Sequence, residues 1–545
     1  MYYKSLFPDL PKIPESNIHH FIFGRPDQQE WPDYTLFVNV ATGQRRSFRE
    51  FVERVRDGAT ALGADVTQGG LGFRPENGEL VGILSENCLD YIALVHSLLV
   101  ITVPFALFSS YSTPYEFKHT NSLAQATTIF ASPSLLPLAL TSGLPADRIY
   151  ILEGKCDGYT SYDKLVSSAR KSALMASQGT IIHATLGMMV HFMETAKVQQ
   201  PPVRDIPDGL PVYFNVLPFY HTYGLYMTSF FGFLKPSTTA ILPKWDIDFF
   251  FDSIPKYRVT MLGLVPSLVH QLVHHPRFKT ADLSSVKSIL SGAAHLPPQL
   301  AAQLCARFPD VEGINEGYGM SEFTAVAMKP LPGMLNGRAK NKPGSVGILA
   351  SGVEARIVRP DGSLAGPNEA GELLVRGGTA VLGYKGNAKA TRETFVDGWV
   401  RTGDQMRIDE DGVLFFEDRT KASLRRDTLK ISGMQVSPVE IENLLLAQPD
   451  KLIIDVSVAG VSGGRTSDER VPRAWIVLSP ASAALDEKEI VTRLDAWVRE
   501  RLSPYKWLRG GIGCVESIPK TPTGKVLRRE LVDEYEREVK AKARL

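Results

Sequence analysis

The sequence predicts an α/β protein. A large N-terminal domain of mainly parallel sheets with helices carries a β-rich subdomain, and a smaller α+β domain follows it. Three observations predict this. Short apolar strands alternate with helices through the first half of the chain, the pattern of a parallel sheet. Beyond Gly344-Ser345-Val346-Gly347 the helices give way to short strands separated by Asp-Gly and Gly-Pro turns. From Lys421 onward a new unit of mixed helices and strands begins, which sets the domains at 1–420 and 421–545.

In chain order, residues 1–45 are Pro-rich and read as irregular wrapping chain. Residues 47–62 have helical spacing, with Ser47 as N-cap. Residues 80–84 read as a strand and 88–100 as a helix. The run 91–108 carries no Asp, Glu, Lys or Arg, which raises a membrane span. Asp90 before it, Pro104 within it and the β-branched Ile101-Thr102-Val103 favour a buried helix running into a buried strand. Residues 126–131 and 148–152 are further strands, and 212–217 is a strand ending in Pro218-Phe219-Tyr220-His221-Thr222-Tyr223-Gly224. Residues 259–264 form a strand, followed by a helix from Pro266 to Val273. Residues 286–290 form another, ending in the small residues Ser291-Gly292-Ala293-Ala294. In the β-rich part, strands fall at 353–358, 371–375, 399–404 and 414–419. The last unit has helices at 438–446 and 488–501 and strands at 453–459 and 474–478.

Length and composition bound the function. The 545 residues are too many for one ordinary core, and 44% hydrophobic with 22% charged residues is the balance of a globular protein. Lys and Arg number 60 against 59 Asp and Glu, so no nucleic-acid or polyanion partner is indicated. Cys88, Cys156, Cys305 and Cys514 form no C-x-x-C pair, which argues against structural zinc and disulfides and fits a reducing compartment. The N-terminus lacks the apolar core of a secretory signal.

The chemistry gathers at Gly317-Tyr318-Gly319-Met320-Ser321-Glu322. Two glycines around an aromatic suit a tight turn that approaches a ligand, and Tyr318 offers a flat face to a planar base. Ser321 and Glu322 supply hard oxygen ligands of the kind magnesium takes. The alternative is an ordinary strand-to-loop turn with an exposed acid. His221 sits beyond a strand's carboxyl end, where α/β sheets bind ligands, and either contacts substrate or is a satisfied core histidine.

Five stretches in order carry a resemblance: Gly317 to Glu322, Arg401-Thr402-Gly403-Asp404, Asp418-Arg419-Thr420-Lys421, Lys430-Ile431-Ser432-Gly433 and Pro519-Lys520-Thr521-Pro522-Thr523-Gly524-Lys525. Together they resemble the adenylate-forming superfamily, nearest its 4-coumarate–CoA ligase-like branch, over nearly the whole chain. The resemblance implies a two-step acid–CoA ligase using ATP, Mg²⁺ and coenzyme A on a small carboxylic acid, with the C-terminal domain rotating about a hinge at Lys421. It implies Tyr318 and Gly319 at adenine, with Gly292, Ala293 and Ala294 on its other side and Ser321 nearby. Asp404 and Arg419 would hold the ribose, Glu322 the magnesium and Lys525 the α-phosphate and carboxylate. His221 falls on the acid side, and Lys430 and Gly433 fall near the coenzyme A channel. Phe219, Tyr220, Tyr223 and Met320 suggest an apolar pocket for an aryl or medium-chain acyl group; the alternative is that these aromatic residues are plain core.

Two departures qualify this. The family's Ser/Thr/Gly-rich phosphate loop belongs between Leu165 and Ser177, but residues 166–176 contain no glycine. Such loops act through several backbone N–H groups aimed at the anion, so turnover is expected to suffer. The alternative function is a catalytically impaired relative that binds nucleotide or acid. Residues 422–426 are inserted at the hinge. Finally, Ala543-Arg544-Leu545 is a variant of the Ser-Lys-Leu peroxisomal address, so the expected location is peroxisomal or cytoplasmic.

Overall fold

The computed structural model describes residues 1–12, 16–168, 179–199, 209–293, 296, 298–308, 310–311, 313–419, 429–431, 434–463, 470–479, 482, 485–519, 526 and 528–542. Contacts divide the chain into two compact units. Met1–Ser110, Phe117–Val265 and Val269–Lys421 form the larger; Tyr111–Glu116, Pro266–Leu268 and Ala422–Leu545 form the smaller.

The larger unit opens with β1 (Tyr2–Lys4), the helix Ile18–Phe23, β2 (Thr35–Asn39) and β3 (Arg45–Ser47). While residues 5–12 are irregular as expected, this stretch therefore carries strands and a helix where irregular chain was expected. The reason is long-range pairing. Tyr2 lies opposite Arg356 and Phe37 opposite Thr239, partners that leave no periodicity in the local sequence. The helix Phe48–Gly63 follows with the expected cap: Ser47 accepts the Glu50 N–H, and Glu50 accepts the Ser47 N–H in return.

Next come β4 (Val81–Leu84), β5 (Phe105–Phe108), β6 (Thr128–Ala131) and β7 (Ile149–Ile151), a parallel sheet in the order β5-β4-β6-β7. Between β4 and β5 lies the helix Leu89–Val100, with every residue buried. The uncharged run is thus a core helix turning into a strand. Among the described residues no helix is long and apolar enough to cross a membrane. Asp90 in this helix is buried and held by Arg46 at 2.8 Å and Arg54 at 2.6 Å. Burial pushes its carboxyl up, but the two guanidiniums outweigh that and hold it below the usual carboxylate range. Nearby, the His96 ring packs edge-on with His19, Phe23, Phe51 and Phe233. The His96 Nε2 lies 2.6 Å from the Ser229 carbonyl oxygen.

The second sheet carries the strand ends of interest. It contains β8 (Val212–Asn215), β9 (Thr238–Ile241), β10 (Met261–Leu264), β11 (Ser288–Ser291) and β12 (Ile314–Met320). In the order β12-β11-β10-β8-β9-β2 these strands are parallel. Then follow β13 (Thr324–Met328), β14 (Ser345–Leu349), β15 (Glu354–Val358), β16 (Gly371–Arg376), β17 (Phe395–Val396), β18 (Trp399–Ile408) and β19 (Val413–Arg419). The β-rich part is continuous with the parallel part, because β12 pairs parallel with β11 on one side and antiparallel with β13 on the other.

The smaller unit has the hairpin β20 (Leu429–Ile431) and β21 (Met434–Val436), and a sheet of β22 (Ile453–Ser462), β23 (Arg470–Leu478) and β24 (Ile512–Cys514). The helices Pro438–Leu446 and Glu487–Arg501 supply Ile441, Leu444, Leu494 and Val498 to a core with Val456, Val458 and Ile476. Its α+β character is as expected.

Candidate active site

The site begins where β8 ends. His221 caps the helix Thr222–Ser229, its Nδ1 accepting the Tyr223 N–H at 3.2 Å. An accepting Nδ1 is unprotonated, so the neutral ring carries its proton on Nε2. The close turn into this helix requires Gly224, since a Cβ there would lie 2.3 Å from the Pro218 carbonyl oxygen.

The other two strand ends meet this loop. A Cβ on Gly292, just beyond β11, would sit 3.3 Å from Tyr223 Cε1 and 3.6 Å from the Gly317 carbonyl oxygen. Gly292 therefore touches both neighbouring segments. Ala293 beside it has φ 69°, a left-handed conformation that costs an L-residue roughly 1–2 kcal/mol. The Thr222 hydroxyl donates to Ser321 Oγ at 3.4 Å. Loops following β8, β11 and β12 are thus in contact, as the run of three ligand-compatible strand ends suggested.

The Gly317-Tyr318-Gly319 stretch is a strand and not a turn. It forms the end of β12, Tyr318 facing Ala327 and Gly319 facing Ala325, with a register shift between them. Neither glycine has positive φ. Gly319 is required by close approach instead: a Cβ would lie 2.0 Å from the Thr324 carbonyl oxygen. This strand aims the half-buried Tyr318 at β18, where its hydroxyl donates to Asp404 Oδ2 at 2.6 Å. Asp404 is only 7% exposed, and its N–H donates to Thr402 Oγ1 at 3.1 Å. Gly403 before it takes φ 60°. Asp404 stands opposite Arg419 in the β18–β19 register. One turn beyond β12, Glu322 accepts the Tyr384 hydroxyl on Oε1 at 2.6 Å.

Six predicted residues are therefore gathered with His221: Gly292, Ala293, Tyr318, Gly319, Ser321 and Glu322, while Asp404 joins through Tyr318. Of Arg419 and Lys430 the backbone alone is described, in β19 and β20. Ala294, Lys421, Gly433 and Lys525 lie outside the described residues, as do residues 169–178, which hold most of the glycine-free stretch, the insertion 422–426 and the Ala543-Arg544-Leu545 end. For Phe219 the core alternative holds: it is fully buried and packs edge-on against Tyr91. The Tyr223 phenol is pushed well up by burial and stays protonated. Thr222 and Tyr384 were missed. A single threonine and a Gly-Tyr pair are patterns too short to single out.

Among the described residues no three His, Cys, Asp or Glu side chains are grouped to cage a metal. One carboxylate with a neighbouring hydroxyl, Glu322 with Ser321, suits a hard cation that keeps most of its waters and is shared with phosphate oxygens.

Comparison with known proteins agrees on one family. A model described as "AMP-binding enzyme" matches residues 173–385, and one described as "AMP-binding enzyme C-terminal domain" matches 440–525. A 4-coumarate–CoA ligase-like protein (number 4) of Oryza sativa subsp. japonica is 30% identical over 552 residues, covering 96% of this chain and 93% of its own. A probable 4-coumarate–CoA ligase (number 2) of Dictyostelium discoideum is 29% identical over 581 residues, covering 98% of each. Among solved structures, an amide bond synthetase from Marinactinospora thermotolerans superposes with TM-score 0.74 at 20% identity, over 95% of this chain and 99% of that one. An o-succinylbenzoate CoA synthetase from Bacillus subtilis gives 0.70 at 19%, over 95% and 98%. These two likenesses speak for the fold.

Proposed function

This chain belongs to the AMP-binding enzyme family, with 4-coumarate–CoA ligase-like relatives, and from that premise we propose that it is an ATP-dependent acid–CoA ligase. A carboxylate oxygen attacks the α-phosphorus of ATP and pyrophosphate leaves. The sulfur of coenzyme A then attacks the acyl carbon and AMP leaves. The observation that carries the reading is the convergence of three parallel strand ends with Asp404. Sheets of this kind bind ligands beyond the carboxyl ends of their strands, and here Thr222 meets Ser321, and Gly292 lies close to Tyr223 and Gly317, at that edge.

The residues divide the work by chemistry. Asp404, acceptor-only, takes hydrogen bonds from the ribose hydroxyls, with Arg419 on the same edge. Tyr318 gives its face to adenine against Gly292, Ala293 and Ala294, and Gly319 keeps the backbone close. His221 presents Nε2 on the acid side. Lys525 offsets charge on the α-phosphate and carboxylate, Lys430 and Gly433 serve the thiol step, and Lys421 is the hinge. Glu322, with Ser321 beside it, would hold magnesium, which when bound neutralises phosphate charge. The acid is an aryl or medium-chain carboxylic acid; the names of the relatives favour the aryl class. The terminal Ala543-Arg544-Leu545 supports a peroxisomal address, which a reporter fused to the last dozen residues tests; a diffuse signal ends that part.

The glycine-free stretch 166–176 favours a second reading, binding without turnover. One experiment separates the two. Purified protein is given ATP, Mg²⁺, coenzyme A and a panel of aryl and medium-chain acids, with pyrophosphate release and thioester formation followed, and AMP binding is measured by calorimetry. Release that depends on one acid establishes the ligase. AMP binding without release establishes the second reading, and neither signal overturns both.

A further inference from the structure

We infer that Tyr384 is a positioning residue for Glu322: its hydroxyl fixes one carboxylate oxygen so that the other is offered to the cation of a metal–nucleotide complex. The inference rests on the assignment of Glu322 made above, and it concerns a residue that no motif singled out.

The geometry is that of a built support. The Tyr384 hydroxyl donates to Glu322 Oε1 at 2.6 Å, and the Val381 N–H donates to the Glu322 carbonyl oxygen at 3.0 Å. One loop therefore grips the glutamate at both its side chain and its backbone. The loop is itself pinned. The Tyr384 N–H donates to Thr391 Oγ1 at 2.9 Å, and that hydroxyl also donates to the Asn387 carbonyl oxygen at 3.0 Å, in the first turn of the helix Ala388–Thr394. The Tyr384 ring stands edge-on to Phe395, with centroids 6.0 Å apart. Gly383 takes φ 142°, and a Cβ there would lie 2.5 and 2.9 Å from the Thr391 side chain. That position requires glycine both for conformation and for space. Tyr384 is thus set by its backbone before any ligand arrives.

The chemistry follows from the donor. A phenol is neutral, so it orients the carboxylate without consuming its charge, as a lysine or arginine partner would. A free glutamate side chain has much rotamer freedom to lose on binding a cation. Donation to Oε1 removes that freedom in advance and selects Oε2 as the ligand atom. Partners of this kind, behind a metal ligand, typically change metal affinity 10–100-fold when removed.

The test uses full-length protein with α,β-methylene-ATP, which cannot release pyrophosphate, and Mn²⁺ followed by electron paramagnetic resonance. Wild type is compared with Tyr384→Phe and Glu322→Gln, and AMP affinity is measured separately in chelator. Tyr384→Phe is expected to weaken Mn²⁺ about tenfold while leaving metal-free AMP affinity within about twofold. Loss of Mn²⁺ and AMP affinity in step would mean a merely structural role and overturn the inference. Unchanged or tighter Mn²⁺ binding would overturn it too, the latter by making the phenol a competitor of the cation. If Glu322→Gln leaves Mn²⁺ binding intact, or wild type binds none, the metal assignment of Glu322 fails and the inference falls with it. A weakened Glu322→Gln beside an unaffected Tyr384→Phe overturns the inference alone.

Discussion

Two polar arrangements in the larger unit look alike and do opposite things. Around Asp90, a carboxylate buried in the core is paired by Arg46 and Arg54, groups of full opposite charge. Around Asp404, a carboxylate almost as buried takes a neutral phenol, Tyr318, at 2.6 Å. The first pairing settles its charge within the protein. The second gives one carboxylate oxygen to a neutral donor, a group that a ligand hydroxyl can replace. The difference teaches that the donor seen on an acid, a guanidinium pair or a phenol that a ligand hydroxyl can mimic, says more about its work than its burial does.

The sharpest way to break that comparison is to remove each acid. Asp90→Ala takes from Arg46 the acid 2.8 Å away and leaves Arg54 only the exposed Asp163 at 3.1 Å, and is expected to cost about 3 kcal/mol in urea unfolding. Asp404→Ala leaves a phenol, which water reaches more readily, and is expected to cost no more than about 1 kcal/mol of stability while AMP affinity falls about a hundredfold. Equal stability losses would erase the distinction.

The second test is acid. His96 and His19 are buried among aromatic rings; burial pulls His96 down to about 4, and burial together with the neighbouring His96, His20 and Arg56 pulls His19 down to about 2. Both are neutral when folded and titrate near 6.5 when unfolded. The unfolded chain therefore takes up protons first as pH falls. Stability is full above pH 6.5 and declines below it by up to about 1.4 kcal/mol per pH unit for each histidine. For His96 the decline stops near its folded value of about 4. Asp90 adds its own loss only at lower pH, because the guanidiniums hold it down. His96→Gln is expected to be less stable at neutral pH yet flatter between pH 6.5 and 4. An unchanged slope would show that other groups carry the acid limb.

What was legible in the sequence was what is local. The helix Phe48–Gly63 was announced by its apolar spacing and the N-cap Ser47, and the buried helix Leu89–Val100 by an apolar run broken at Pro104. The three ligand-bearing strand ends were legible because each strand ran into small or polar residues. The unread parts depend on distant partners. β1 exists because it pairs with β15, and the Tyr2 region has no pattern of its own. Gly317-Tyr318-Gly319 read as a turn because glycines usually mean turns. Its strand is imposed by β11 on one side and β13 on the other, and Gly319 answers to the Thr324 carbonyl. Tyr318 and Asp404 are 86 residues apart, so both were singled out but their bond was not.

That bond supports the finest prediction. In the ligand-free protein the Tyr318 hydroxyl occupies an acceptor that the ribose is proposed to use. Tyr318→Phe keeps the ring for stacking and removes the occupant of Asp404 Oδ2. The phenol's hydrogen bond to a charged group is worth about 1.5–3 kcal/mol when fully buried, and less at a half-buried ring. AMP affinity is therefore expected to rise about three- to tenfold in calorimetry, with a stability loss of about 1 kcal/mol. A fall of the same size would mean that the phenol stays on Asp404 and orients it for the nucleotide. Asp404 would then resemble Asp90 as an acid fixed in place by its donors, and the Tyr318 hydroxyl would belong to the ribose site instead of standing in for the ribose.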